Sequence, residues 1–195
     1  IRMVVADRLT LMVLIGIALY GAGYGLAVTI IPAFLITTKG FDQTAISLFF
    51  ALFYIAISLA QLLAGPFSDK QGRQGVMIGG LAIAAIGLAL FSLLQPPWIY
   101  GALAVVGLGL GMFCVASLAY LNESVWDAHK GTISGAYYLF WGLGYFMGPL
   151  AAGELGEVIG LKVCFYTLAG LLSLETLWLL GMRRKTRLSK SILYA

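Results

Sequence analysis

Residues 65–74 read GPFSDKQGRQ, and this stretch decides how the rest of the chain is interpreted. Its spacing is G-x-x-x-D-K-x-G-R-Q, and it separates two long uncharged segments. No Asp, Glu, Lys or Arg occurs in residues 43–68 or in residues 74–122. A short polar stretch between such apolar runs is typical of a loop that joins two membrane-spanning helices.

The small and charged residues of this loop each offer a physical role. Gly65 allows the close approach of a neighbouring helix, and Gly72 permits a tight turn with positive φ. Asp69 lies where the preceding helix reaches the interface and can accept hydrogen bonds from amides at a helix N-terminus. Arg73 supplies a planar fork for a carboxylate. An ordinary polar loop would not need this spacing, so we interpret the stretch as a structured motif.

The composition of the whole chain agrees with a membrane protein. Of 195 residues, 61% are hydrophobic and 10% are charged, with a mean hydropathy of +0.97, whereas soluble domains carry about 25% charged residues. A cytosolic enzyme, a disordered tail and a disulfide-stapled secreted domain are therefore excluded. Cys114 and Cys164 lie inside apolar segments without metal-ligand spacing, so we expect no metal site and no cofactor.

The uncharged runs predict six membrane-spanning helices in a single domain, residues 1–195. Spanning segments must satisfy their own backbone groups, so they form helices or closed barrels, and runs of this length without period-2 alternation favour helices. The predicted fold class is an all-α membrane protein, a six-transmembrane-helix bundle. The expected helices are residues 9–38, 43–68, 75–94, 98–122, 132–153 and 161–182, followed by a basic tail, residues 183–195.

Basic residues fall mainly on one side of this arrangement. With the N-terminus inside, the outer side holds Lys39 and Lys162, two residues against ten on the inner side. Such an excess marks the cytoplasmic side, so both termini are predicted to be cytoplasmic. The inner residues are Arg2, Arg8, Lys70, Arg73, Lys130, Arg183, Arg184, Lys185, Arg187 and Lys190.

The loop motif resembles a signature of the major facilitator superfamily of secondary transporters. That family carries G-x-x-x-D-[RK]-x-G-[RK]-[RK] between the second and third helices of a six-helix half. Residues 65–74 follow it through Lys70 and Arg73 and depart at Gln74, where the family prefers a basic residue. The departure weakens one potential carboxylate contact and leaves the rest of the pattern intact.

A second match follows the fourth predicted helix. Glu123 and Lys130 are seven residues apart and resemble the family's E-x6-R pattern, with Lys in place of Arg. The resemblance implies a cytoplasmic ion-pair network in which Arg73 pairs with Glu123 and Lys130 pairs with Asp69. Because lysine is not bidentate, the second link should be the weaker one. Two unrelated loop charges are the alternative.

A third match lies in the fifth predicted helix, where residues 144–153 read GYFMGPLAAG. This resembles the G-x-x-x-G-P-x-x-G-G antiporter motif through Gly144, Gly148, Pro149 and Gly153, with alanine in place of one glycine. The first two glycines lie one turn apart on one face, so a partner helix can pack closely. Pro149 is expected to kink the helix. A packing face without a gating role is the alternative.

The resemblance implies alternating-access transport of a small organic solute, with two six-helix halves rocking around a central site. We expect one half, with the C-terminal half favoured because the predicted fourth helix lacks arginine. Residues 130–137 and the basic tail also resemble the second half. The expected partners are a small-molecule substrate, the lipid bilayer and the other half, in the same chain or in a second copy. Nucleic acid is not expected.

Two alternatives to a half of a twelve-helix transporter remain. A six-helix transporter could act as a homodimer. An intramembrane enzyme is disfavoured, because the stretch around Ser134 lacks the first glycine of a rhomboid-type Gly-x-Ser-Gly motif and the only histidine, His129, lies among loop charges. No catalytic residue is therefore assigned.

Aromatic and polar residues on the predicted cavity-facing helices are candidates for substrate contact. The resemblance implies that the first, second, fourth and fifth helices border the cavity. Residues spaced by three or four share a helix face, and their rings can stack or donate hydrogen bonds. As a set they predict an amphipathic or apolar substrate; ordinary helix packing is the alternative for each one. The candidates are Tyr20, Tyr24, Gln61, Tyr138, Trp141 and Tyr145.

Glu175 is the one acidic residue in the last apolar run, residues 163–182. The resemblance places this helix at the periphery, so we expect Glu175 to snorkel or to pair locally. Arg183 lies eight residues later, about 12 Å along a helix. A proton-coupling carboxylate is then expected in the other half.

Overall fold

The computed structural model describes residues 8–193, with side chains described for residues 8–184. The described backbone consists of helices joined by short turns and contains no strand, which confirms the predicted all-α membrane bundle. A short 3-10 helix, Asp127–His129, precedes the sixth α-helix. The α-helices are α1 (Arg8–Val28), α2 (Ile30–Lys39), α3 (Gln43–Gln71), α4 (Arg73–Phe91), α5 (Trp98–Glu123), α6 (Lys130–Ile159) and α7 (Leu161–Leu193).

The first predicted helix, residues 9–38, is divided at Thr29 into α1 and α2. Pro32 explains the division, because it has no N–H to donate and its ring crowds the carbonyl of Val28, four residues earlier. The amide and hydroxyl of Thr29 both donate to the Gly25 carbonyl, at 3.1 and 2.8 Å. These hydrogen bonds keep the two helices joined at the break.

Helices α3 and α6 each end at a glycine rather than at the first charged residue. Gly72 and Gly160 have φ values of 89° and 91°, a region that other residues rarely adopt. The helices before them therefore continue through charged residues to Gln71 and Ile159. At the C-terminal end α7 runs to Leu193, so a helix occupies most of the segment predicted as a separate basic tail.

The helices pack around α5 and α1. Helix α5 packs against α3 and α4, while α1 packs against α6, and α7 lies against α4, α6 and α1. Phenylalanine rings fill much of the interior; the rings of Phe34 and Phe91 lie 5.1 and 5.2 Å from that of Phe165. The largest fully buried side chains include Phe34, Phe49, Phe53, Phe91, Phe113 and Phe165.

Five described helices are long and apolar enough to cross a membrane: α1, α3, α4, α5 and the Leu161–Arg184 part of α7. The fifth predicted span corresponds to α6, which has 30 residues but is less apolar. Its glycines and the tyrosines Tyr137, Tyr138 and Tyr145 lower its hydropathy. Among the basic residues used to predict orientation, the side chains of Arg2, Lys185, Arg187 and Lys190 lie outside the described residues.

Candidate functional site

An ion-pair cluster joins three helices at the α3–α4 turn. Arg73 begins α4, and its Nε and Nη2 atoms donate to Glu123 Oε1 at the end of α5, at 3.0 and 2.7 Å. The same guanidinium pairs with Asp69 near the end of α3. The structure therefore brings together three of the four residues that the sequence placed in one network. We call Asp69, Arg73 and Glu123 the Arg73 cluster.

A buried serine completes the contacts of this guanidinium. Arg73 Nη1 donates to Ser68 Oγ at 2.5 Å and to the Gly65 carbonyl at 3.5 Å. Sequence reasoning missed Ser68, although its place inside the quoted motif was a signal. The predicted role of Gly65 in close helix packing is wrong, since a Cβ added there would lie 4.0 Å from its nearest neighbour, Val115. Instead, the Gly65 carbonyl accepts a hydrogen bond from Arg73.

The predicted link between Lys130 and Asp69 is also wrong. Lys130 Nζ lies 2.7 Å from Asp127 Oδ1, three residues earlier in the chain. The 3-10 helix places these two side chains together, while Asp69 is already paired with Arg73. The hydrogen bond from Lys130 and its positive charge hold the pKa of Asp127 below its ordinary value.

Glycines of α6 meet the backbone of α1. A Cβ added to Gly144 would collide with the carbonyl of Ala18, and one added to Gly148 would lie 2.7 Å from Ala22 Cα. A Cβ at Gly153 would meet nothing within 4 Å, so this part of the predicted motif makes no helix contact. Pro149 lies within the continuous α6.

Glycines of α1 meet α6 in return, and sequence reasoning missed them. A Cβ on Gly21 would collide with the Trp141 carbonyl, and one on Gly25 would lie 2.5 Å from the Tyr145 carbonyl. Their four-residue spacing, the same as in α6, was the available signal. The two helices therefore cross with their backbones in close contact.

An aromatic cluster lies beside this crossing. The ring centroid of Tyr24 on α1 lies 6.2, 6.1 and 6.3 Å from those of Tyr54, Trp141 and Tyr145. The ring of Trp141 stacks on that of Tyr145, with centroids 5.2 Å apart. These four residues, here called the Tyr24 cluster, come from α1, α3 and α6. All four are partly or fully exposed within the chain. Tyr54 was missed by sequence reasoning.

The remaining cavity candidates do not belong to this exposed aromatic surface. Tyr20 contacts Tyr24 at 6.4 Å but is only 5% exposed. Tyr138 is 63% exposed and contacts Tyr137. Gln61 follows Tyr54 by seven residues, about 10 Å along α3. The predicted set is therefore divided, with three of its members in one aromatic surface.

A small apolar crevice lies between α1, α6 and α7, beside Gly148 and Cys164. Its volume is about 110 Å³, whereas sites for drug-sized ligands occupy about 300–1,000 Å³. The crevice is too small to hold such a solute. Among the described residues, no three His, Cys, Asp or Glu side chains form a metal-binding group.

Glu175 points into the bundle. It is 5% exposed, and Oε1 is buried without a hydrogen-bond partner. A Cβ added to Gly16 of α1 would lie 3.6 Å from Oε1 and 2.9 Å from Phe113 Cζ. The expectation that Glu175 snorkels or pairs locally is wrong, because its face of α7 packs against α1. The guanidinium of Arg183 lies instead beside Gly75.

Comparison with known proteins identifies the family. The profile of the Major Facilitator Superfamily matches residues 13–192. The chain belongs to the Major Facilitator Superfamily. As a member of this family it is an integral, multi-pass membrane protein, and the resemblance seen in its motifs is confirmed.

Curated relatives in the superfamily are longer than this chain. Multidrug resistance protein MdtG of Serratia proteamaculans is 28% identical over 163 residues, covering 81% of this chain and 39% of that protein. Inner membrane transport protein YnfM of Escherichia coli is 28% identical over 157 residues, covering 75% and 37%. Fosmidomycin resistance protein of E. coli is 30% identical over 134 residues, covering 63% and 31%. The chain spans about two fifths of the length of the first two.

Proposed function

We propose that this chain is one six-helix half of a secondary transporter that exports a small amphipathic organic solute by alternating access. Its family and the relatives named for multidrug and fosmidomycin resistance support export. We further propose that it is the C-terminal half, that both termini are cytoplasmic, and that transport is coupled to protons. A half-size transporter acting as a homodimer is the alternative.

The Tyr24 cluster is the observation that carries the proposal. Its rings come from three helices and offer flat apolar faces together with hydroxyl and indole donors, a combination that suits amphipathic molecules. Aromatic faces also attract organic cations. The cluster contains no charged side chain, which argues against strongly ionic solutes.

Two tryptophans provide a matched test of the substrate surface. Trp141 belongs to the Tyr24 cluster, whereas Trp178 lies on α7, 59% exposed. In cells that express the full-length transporter and are loaded with ethidium, Trp141→Ala should lose most of the efflux and Trp178→Ala should retain it. Equal efflux in the two variants, at equal expression, would contradict the assignment.

The Arg73 cluster is proposed to stabilise one transport state. Its three side chains join α3, α4 and α5 at the same end of the bundle, the end predicted to be cytoplasmic. A transport state in which α3, α4 and α5 shift relative to one another within this half must break the ion pairs, so the cluster favours the state in which they are formed. Lys70 and Gly72 belong to the same α3–α4 junction, whereas Lys130 begins α6 and pairs with Asp127.

A further inference from the structure

We propose that Glu175 is a proton-binding site. While α1 packs against α7, its carboxyl is held as the neutral acid, and its ionisation is linked to the separation of these two helices. The site itself does not depend on any substrate. Its link to transport rests on the proposed function.

Burial without a partner is the first argument. Glu175 is 5% exposed, and Oε1 is buried without a hydrogen-bond partner. An isolated carboxylate in such surroundings loses its hydration without gaining a compensating interaction, so it takes up a proton. Within a membrane helix an unpaired charge is costly, and ionisable residues there usually pair or face a water-filled cavity.

The neighbours of Glu175 are apolar or small. Gly16 of α1 lies beside Glu175 Oε1, and Phe113 Cζ of α5 lies near the same position. The ring centroid of Phe113 lies 6.2 Å from that of Tyr20. Glycine at position 16 leaves the carboxyl close to the α1 backbone. Moving α1 away from α7 would open this contact to water.

Charged groups on the surrounding helices lie near helix ends. Arg8 precedes Gly16 by eight residues and Arg183 follows Glu175 by eight, about 12 Å along each helix. Among the described residues, no positively charged side chain therefore lies beside the Glu175 carboxyl. This agrees with the absence of a hydrogen-bond partner for Oε1. Among residues 8–184, whose side chains are described, the other charged residues on the packed elements and on α7 are Arg8, Lys39, Arg73, Glu123, Lys130, Glu154, Glu157, Lys162, Arg183 and Arg184. The other titratable residues there are Tyr20, Tyr24, Tyr100, Cys114, Tyr120, Tyr137, Tyr138, Tyr145, Cys164 and Tyr166.

A single carboxyl in these surroundings suits a proton better than a metal cation. Sodium and larger cations require several oxygen ligands, as calcium does with six to eight. Thr176, the adjacent hydroxyl, already donates to the Leu172 carbonyl. Within the described chain, Glu175 belongs to no group of three or more His, Cys, Asp or Glu side chains that could hold a metal ion.

Labelling with dicyclohexylcarbodiimide tests the site without a transport assay. The protonated acid adds across a C=N bond of this membrane-soluble reagent, the proton passing to nitrogen and the carboxyl oxygen bonding to carbon. The O-acylisourea then rearranges to a stable N-acylurea, which adds the mass of one reagent molecule. In membranes containing the full-length protein, peptide mass spectrometry should find this adduct at Glu175, with yield falling as the pH is raised.

Glutamine variants at Glu175 and at two exposed glutamates show which carboxyl carries the adduct. E175Q should abolish the adduct, whereas changing the exposed Glu154 or Glu157 to glutamine should leave it unchanged. No adduct at Glu175 at any pH, a yield that does not change with pH, or equal labelling by a water-soluble carbodiimide would overturn the proposal. Because labelling requires no substrate, these results are distinguishable from a failure of the ethidium assay.

Stability provides a second readout. E175Q resembles the neutral acid, so both E175Q and E175L should unfold at or above the wild-type temperature at neutral pH. A large fall in the unfolding temperature of both variants would show that the negative charge stabilises the fold, and would overturn the proposal. For the link to transport, E175Q should make the rate of ethidium efflux less dependent on pH.

Discussion

Arg73 joins three helices through one planar side chain. Its guanidinium contacts Asp69 and Glu123 while another nitrogen reaches the buried Ser68. Ion pairs this exposed contribute about 0–1 kcal/mol to stability. Their effect should therefore appear in the balance between transport states rather than in folding.

Replacing Arg73 with lysine tests this role at the scale of the residue. R73K keeps the charge but loses the fork that contacts two carboxylates and a hydroxyl, because an ammonium group is a single point charge. We expect ethidium efflux to fall several-fold, with expression and unfolding temperature nearly unchanged. D69N should change transport in the same direction. K162Q is the control, since Lys162 is exposed and lies outside both the loop motif and the cluster. An R73K rate equal to that of K162Q would refute the role.

At the scale of the element, the α1–α6 crossing depends on two glycines of each helix, and each pair contacts the backbone of the other helix. Gly21 and Gly25 receive the α6 backbone, while Gly144 and Gly148 receive the α1 backbone. Lipid-embedded helices gain little from the hydrophobic effect on association, so close packing supplies much of the attraction. Backbone atoms on both sides leave little room for adjustment.

Alanine substitution at two glycines of α6 provides a matched pair. In G144A the new methyl group would collide with the Ala18 carbonyl, and overpacking of this kind typically costs about 1–3 kcal/mol. In G153A the methyl group meets nothing within 4 Å, and alanine favours a helix over glycine by about 1 kcal/mol. Thermal unfolding in detergent should show a lower temperature for G144A and an unchanged or higher one for G153A. Similar temperatures would contradict the packing argument.

At the scale of the whole molecule, α3 is the least enclosed of the membrane-span candidates. Its most apolar window is 33% buried, against 56% for α4 and α5. Exposed apolar side chains also line α6. In a bilayer such surfaces can face either lipid or a second bundle. The surface apolar residues include Leu48, Tyr54, Ile55, Leu59, Leu62 and Leu63 on α3, and Leu139, Leu143, Phe146, Met147 and Leu150 on α6.

The intact mass of the native polypeptide tests how the transporter is completed. We expect a mass about twice the 20.8 kDa of this chain, because two six-helix halves build the proposed transporter. Mass spectrometry of the protein purified from its source membrane provides the measurement. A mass near 20.8 kDa would favour the homodimer, and the Tyr24 cluster would then occur twice around one cavity.

Much of the fold was predictable because it depends on local features. Uncharged runs long enough to span a bilayer, interrupted by charged loops, predicted the helices, and the loop motif identified the family. Pro32 could also have predicted the break at Thr29, and the spacing of Gly21 and Gly25 could have predicted their contact with α6. The aromatic surface was predicted in part, through Tyr24, Trp141 and Tyr145, whereas Tyr54 came from a different helix.

The sequence by itself determined that this protein is an all-α membrane bundle of a known family, since segment length, charge and motif spacing are read along the chain. Only the tertiary structure decided that Lys130 pairs with Asp127 and that Glu175 points inward. The physical reason is that these helices are apolar around most of their circumference, so their patterns do not specify which face is buried. Packing between helices decides how each helix is rotated about its axis. Small residues allow close contact there, and residues far apart in sequence, such as Gly16 and Glu175, come together.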